Sequence, residues 1–137
     1  TTTRKYYAIV VGNISHNLGK INAPIGRDPS NRQKMAVVEG GKESVTHFKV
    51  LERFKDHTLI ECTLETGRTH QIRVHMSYIK FPVLNDPLYG VKKQTTEFGQ
   101  YLHAKTLGFV HPTTGKYMEF DSELPTEFQE MLETLRK

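Results

Sequence analysis

Between Thr58 and Glu65 apolar and polar side chains alternate: Ile60, Cys62 and Leu64 fall on one side and Glu61, Thr63 and Glu65 on the other. Successive side chains of a strand point to opposite faces, so this period of two predicts a strand in a sheet with one covered face. Its neighbours extend the pattern. Ser44 to Phe54 reads as a strand joined to it through Lys55-Asp56-His57. Met35 to Val38 reads as an earlier strand, turned by Gly40-Gly41, where glycine accepts positive φ without steric cost. Three consecutive strands with short turns predict an antiparallel meander around which the rest of the chain must be built.

Arg4 to Val11 is β-branched and aromatic and stops at the turn signal Gly12-Asn13, which predicts a further strand. From Asn13 to Lys34 the chain is polar and broken by Gly19, Pro24, Gly26 and Pro29, a long loop with short extended pieces. The hydroxyl of Thr69 is placed to cap a helix over His70 to Ile79, with Ile72, Met76 and Ile79 as its apolar stripe and Pro82 closing it. Asn85 to Gly90 is turn-rich, and Lys92 to Gln100 reads as polar and mobile. Leu102 to His111 and Lys116 to Phe120 are extended segments joined by Pro112-Thr113-Thr114-Gly115. Pro125 then opens a last helix whose apolar face is Phe128, Met131, Leu132 and Leu135. No repeat or linker divides the chain. The fold class expected is α+β, a mostly antiparallel mixed sheet with two main helices, as one unit over residues 1–137.

With 137 residues the chain can bury a real core. It holds no apolar run near the roughly 20 residues that span a bilayer, and its start lacks a signal-peptide layout, so no membrane partner and a cytoplasmic location are expected. The single cysteine, Cys62, lies in an apolar alternation and reads as a small core residue. The net charge is +4 and the pI about 9.2. Glu119, Asp121, Glu123, Glu127, Glu130 and Glu133 lie in a tail where no base appears until Arg136, so the positive excess of residues 1–118 is larger than the net value. This predicts a basic face and an acidic, solvated final helix, a distribution that suits a polyanionic partner or merely decorates an ordinary surface.

Seven histidines invite a metal search, but His70 and His75 are about 140° apart in helical rotation and the others are scattered without carboxylate or thiol companions. No metal is expected. No phosphate-binding glycine loop, nucleophile-elbow serine or paired-carboxylate motif is present. What remains is Thr66 to His75, TGRTHQIRVH, with two arginines, two histidines and no acid. Gly67 and Arg68 sit at a helix amino terminus, where free amides favour an anion and Arg68 adds a forked donor. Arg73 neighbours the apolar stripe, so it is only partly exposed and needs a carboxylate or phosphate partner, either one of the chain's own acids or a group from outside. Tyr6 and Tyr7 point to opposite faces of their strand, leaving one ring for the core and one for a cleft, where tyrosine can stack on an unstacked base.

The segments RKYYAIVVG, GKINAPIGRDPSNRQKMAV, GGKESVTHFKVL, LETGRTHQIRVHM, VLNDPLYG, YLHAKTLGFVHPTTG and LPTEFQEMLETLRK, taken in order, resemble the carboxy-terminal part of the RluA-type RNA pseudouridine synthases from about Arg4 to Lys137. The resemblance implies a reaction without cofactor or metal, in which uracil is detached from its ribose C1′, turned and rejoined through C5. The uridine must leave its stack to be reached. It further implies that Tyr6, in the K/R-x-Y-x-A pattern with Arg4 and Ala8, is the ring that stacks on the target base and assists proton removal at C5. Arg73, in His70-Gln71-Ile72-Arg73, is similar to the arginine that pairs with the catalytic aspartate. Gly67, Arg68, His70 and Gln71 then fall on the RNA-binding side, and the implied partner is structured ribosomal or transfer RNA.

One departure accompanies the match. The family's HRLD-like motif, which carries the catalytic aspartate and precedes the tyrosine strand, does not occur in this sequence. Asp28, Asp56, Asp86 and Asp121 are the only aspartates, and Asp28 and Asp86 sit in turns where side-chain capping of the backbone is the expected role. Asn85 replaces the glycine usual before that aspartate, and asparagine tolerates positive φ. The expectation is therefore the carboxy-terminal part of a catalytic domain, inactive alone, whose missing amino-terminal half is its partner. An unpaired edge or an exposed apolar patch is expected near its start. The alternatives are a non-catalytic basic RNA-binding module and, more distantly, a domain whose basic face meets an acidic protein.

Overall fold

The apolar run Ala8-Ile9-Val10 has no polar side to show to water, which suits only a strand covered on both faces. In the structure, a computed structural model that describes residues 3–91 and 96–137, all three residues are fully buried at the centre of the sheet. The elements are β1 (Thr3–Val11), β2 (Leu18–Asn22), β3 (Ile25–Arg27), β4 (Met35–Val37), β5 (Val45–Arg53), β6 (His57–Leu64), α1 (Gln71–Tyr78), β7 (Leu102–Val110), β8 (Tyr117–Asp121) and α2 (Thr126–Arg136). Six strands form one sheet in the order β2-β5-β6-β1-β7-β8, every pair antiparallel. The fold is thus α+β, an antiparallel sheet with two helices.

The two helices cover opposite faces. Tyr6, Ala8 and Val10 of β1 join Ile60 and Cys62 of β6 against Ile72 and Met76 of α1. Tyr7 and Ile9 join Leu59, Leu84 and Tyr101 against Phe128 and Leu132 of α2. The alternation along β6 is therefore only half the description: its Glu61-Thr63-Glu65 side is open, but nearer its start Leu59 meets α2. Each large side chain buried in this way contributes roughly 1.5–3 kcal/mol.

Several local expectations change. Met35–Val37 does not join the meander. It pairs with Ile25–Arg27 as a separate two-stranded sheet, Ile25 opposite Val37 and Arg27 opposite Met35. The place beside β5 goes to β2, from the stretch read as loop, whose five residues include only Leu18 and Ile21 as large apolar side chains and so carry little strand signal. Thr69 does not cap α1. The capping position is His70, in the left-handed region at φ 56°, with no side-chain cap. The amide of Arg68 is met instead by Gln71 Oε1, at 3.0 Å. The helix stops at Lys80, also left-handed at φ 75°, with Phe81 N–H donating to the Met76 carbonyl and Lys80 N–H to that of Ser77, before Pro82 is reached. Pro125 precedes α2 as its capping residue rather than forming its first turn. Of the stretch read as mobile, residues 92–95 lie outside the described residues. Thr96 and Gly99, by contrast, are held by Asn85, whose Nδ2 donates to both carbonyls at 2.9 Å.

The chain's start is not an edge, because β1 has neighbours on both sides. The open edges are β2 and β8, each hydrogen-bonded to one strand. Four of the eight exposed large apolar side chains among the described residues, Leu107, Val110, Tyr117 and Phe120, lie on the β7–β8 hairpin, where Leu107 (44% exposed) pairs with Phe120 (53% exposed) and the Phe109 and Phe120 rings stack 5.9 Å apart.

Candidate active site

The turn that leads from β6 into α1 is built by one side chain. Gln71 Oε1 accepts from Thr66 Oγ1 at 2.8 Å and from the Arg68 amide. Its Nε2 donates to the Val45 carbonyl and to Thr46 Oγ1, both at 3.0 Å. All four hydrogen-bonding positions of the amide are filled, and the residue is buried. Gln71 therefore shapes the turn with its side-chain amide fully engaged within the chain, and the residue also lines the cavity that Tyr6 and Arg73 share.

One turn further, the Arg73 guanidinium grips Asp86 with two bonds, Nε to Oδ2 at 2.8 Å and Nη2 to Oδ1 at 2.7 Å. Arg73 is 7% exposed and Asp86 1%. Asp86 Oδ1 also accepts from the amides of Leu88 and Tyr89, at 2.9 and 3.2 Å, which is the turn-capping role expected of it. Burial alone would raise the Asp86 pKa. The Arg73 bonds, the two amides and the adjacent positive charge outweigh it and hold the carboxyl below its ordinary value. Asn85 just before it takes φ 63°, as the glycine it replaces would. The partner of Arg73 is thus one of the chain's own acids, and an acid from outside would be a second one. Nη1 makes no hydrogen bond among the described residues.

Tyr89 closes the site from the side. Its ring lies 5.2 Å from Arg73 Cζ and edge-on to His70, with centroids 5.5 Å apart. Its hydroxyl is 2.8 Å from His70 Nδ1 and accepts the Met35 amide at 2.9 Å, which tethers β4 to the site. Burial first, then the Arg73 charge, lower the His70 pKa against the opposing pull of Asp86, which favours a neutral ring. Tyr89 was not singled out from the sequence, although it stands in the NDPLYG segment that was.

Tyr6 and Arg73 line one cavity of about 260 Å³, walled by Leu64, Ile72 and Leu102, with Arg68 and His70 at its border. Gly67 sits just outside, where a Cβ would come 3.1 Å from Nη1 of Arg4. Arg68 Nε donates to the Glu43 carbonyl at 2.9 Å and the side chain has no acidic partner among the described residues. A tyrosine ring, a half-engaged guanidinium and apolar walls make a slot suited to a flat, uncharged ring with polar edges. His75 takes no part: it is fully buried, with Nδ1 2.8 Å from Thr46 Oγ1 and Nε2 donating to the Ala23 carbonyl at 2.9 Å. Cys62 is buried and its thiol is pushed up to about 12, leaving it un-ionised and inert. Among the described residues no cluster of three or more His, Cys, Asp or Glu side chains is placed to hold a metal, and no helix is long and apolar enough to cross a membrane.

A sequence profile described as RNA pseudouridylate synthase matches residues 1–78. Over 137 residues the chain is 61% identical to an uncharacterized RNA pseudouridine synthase, YlyB, of Bacillus subtilis, covering 100% of this chain and 45% of the relative. It is 49% identical to the ribosomal large subunit pseudouridine synthase D of Pseudomonas aeruginosa, with 100% of this chain and 47% of that protein covered. Among solved structures, human RNA pseudouridylate synthase domain containing 1 superposes with a TM-score of 0.80 at 26% identity, covering 98% of this chain and 66% of that one. The chain spans less than half the length of the two bacterial relatives.

Proposed function

The chain belongs to the RNA pseudouridylate synthase family, in its RluA-type branch, and on that premise we propose that the Tyr6–Arg73 cleft receives a flipped uridine and that the full-length protein isomerises it to pseudouridine in ribosomal or transfer RNA. The observation that carries this reading is that Tyr6 and Arg73, from the central strand and from α1, line one small cavity with apolar walls. The chemistry required is cleavage of the C1′–N1 bond, rotation of the uracil, formation of C1′–C5, and transfer of the C5 proton so that N1 ends protonated. No redox partner enters. Tyr6 supplies a stacking face and a hydroxyl near C5. Arg73, steadied through Nε and Nη2 by Asp86, turns Nη1 to the catalytic carboxylate, which an HRLD-type segment ahead of Thr1 contributes. Residues 1–137 are then the carboxy-terminal part of the catalytic domain, and the amino-terminal half completes the cleft.

The relative from Pseudomonas aeruginosa is named for the large ribosomal subunit, which makes large-subunit ribosomal RNA the first target to examine. Pseudouridines are mapped in ribosomal and transfer RNA from cells with and without the gene. One or a few sites are expected to disappear on deletion, to return with the wild-type gene, and to stay absent with Tyr6→Phe. An unchanged map on deletion would sink the proposal and favour a module that binds RNA without modifying it.

A further inference from the structure

Beside the cleft lies a second cavity, about 490 Å³, between the β3–β4 hairpin and the turn before α1. Its side-chain charges are Arg27, Lys42 and Arg68, and no carboxylate lines it. Much of its remaining wall is backbone at Gly26, Gly40, Gly41 and Gly67. Arg68 borders both this groove and the Tyr6–Arg73 cavity, so the two adjoin at its side chain.

The positive charge here is uncompensated. Arg73, Lys105 and Arg136 each hold a carboxylate of this chain, but among the described residues Arg27 and Arg68 donate only to the carbonyls of Arg32 and Glu43, and Lys42 has no side-chain partner. Arg4, against Gly67, is likewise without an acid among the described residues. The backbone holds this arrangement firmly. Ile25 and Lys42 exchange two main-chain hydrogen bonds, at 2.9 and 2.8 Å, and a Cβ on Gly41 would fall 2.7 Å from the Ile25 carbonyl carbon, so only glycine lets the hairpin close and bring Lys42 to the wall. Like charges lining one concavity repel each other, and a polyanion relieves that repulsion. By contrast, a cavity of about 530 Å³ between α2 and Phe98–Tyr101 is bordered by Glu97, Glu127 and Glu130 and by no cation among the described residues.

We propose that this groove is a track for the RNA backbone, in which Arg27, Lys42 and Arg68 each contact phosphates of the strand flanking the nucleotide in the cleft. The proposal rests on the uridine-binding reading of the cleft for its direction, but the groove's affinity for RNA is measurable on its own. Glycine walls let phosphates approach the main chain, and separate cations suit a run of phosphates rather than one chelated ion.

The test uses the full-length protein, wild type and Arg27→Ala/Lys42→Ala, with transcribed large-subunit ribosomal RNA as probe. Dissociation constants are measured across a range of salt, together with the single-turnover rate of pseudouridine formation at saturating RNA. The double variant is expected to bind about tenfold more weakly, with the slope of log affinity against log salt shallower by about 1.5, and to keep the saturated rate. Arg27→Lys/Lys42→Arg, which preserves both charges, should restore affinity and slope. Equal affinity and slope for wild type and the alanine variant would overturn the proposal, as would weaker binding with an unaltered slope. If the wild type forms no pseudouridine while the alanine variant still shows weakened, less salt-sensitive binding, the groove stands and the uridine reading falls.

Discussion

Arg73 holds Asp86 and, in the proposed reaction, a second carboxylate, two tasks that a single substitution confounds. Its bond pair to Asp86 is buried on both sides, and removing one member leaves the other charged and unsatisfied, a loss of roughly 3–5 kcal/mol. Arg73→Ala and Asp86→Ala should each lower stability by that order, and the double substitution by clearly less than the sum. Urea titrations of the three variants check this, and additive losses would mean that the pair does not act as a unit. Because Asp86 titrates below its ordinary value when folded, its share of stability is present above about pH 4 and is lost as the pH falls through the folded pKa. Activity lost in Arg73→Ala therefore reports folding before chemistry. Tyr6→Phe, which keeps the ring and removes only a hydroxyl, is the cleaner probe of the cleft.

The docking of α1 depends on polar contacts as much as on its apolar stripe. Gln71 ties its start to β5, and His75 ties its middle to Thr46 of β5 and to the carbonyl of Ala23. In the neutral ring Nε2 donates to the carbonyl and Nδ1 accepts from the Thr46 hydroxyl, which in turn accepts from Gln71. Burial lowers the His75 pKa, with the Ala23 bond opposing it only in part. The unfolded chain takes up the proton near pH 6.5, before the folded one does. Stability from this residue is complete above about pH 6.5 and declines below it by up to about 1.4 kcal/mol per unit, until the folded histidine itself titrates. Unfolding free energies between pH 7.5 and 5 should fall accordingly, and His75→Gln should flatten the fall. A level profile in the wild type would contradict this account. His57 and His70, lowered mainly by burial as well, act in the same direction and limit how flat the variant can become.

For the whole molecule, the sheet presents two open edges and an apolar β7–β8 hairpin, on which Leu107, Phe109 and Phe120 share a face. The register of β7 on β1 sets Leu107 opposite Arg4, two residues from Tyr6 on the same face of β1. The apolar face of the hairpin is therefore the face of the sheet that carries Tyr6. The 137-residue chain alone is expected to form no pseudouridine, for want of a carboxylate at Arg73 Nη1, and addition of the HRLD-bearing segment in one polypeptide should confer turnover. Turnover by the short chain alone would show that the carboxylate comes from within it. Detection of the product nucleoside after digestion of incubated RNA decides between the two.

What the residues determined by themselves was whatever depends on near neighbours. The period of two placed β6, β-branched and aromatic residues placed β1, the stripe of Phe128 and Leu132 placed α2, Asn85 accepted a left-handed backbone, and consecutive positions on one strand sent Tyr6 and Tyr7 to opposite faces. Motif order carried the family, because short segments keep their residue types wherever they fold. Tertiary structure alone decided which strand lay beside β5, which acid reached Arg73, that Gln71 had no free amide, and that β4 would leave the meander to set Lys42 and Arg27 around a groove. Those outcomes turn on which surfaces become covered and which buried charges meet across the fold. A local pattern of apolar and polar residues is the same before and after that choice, so it carries no record of the partner.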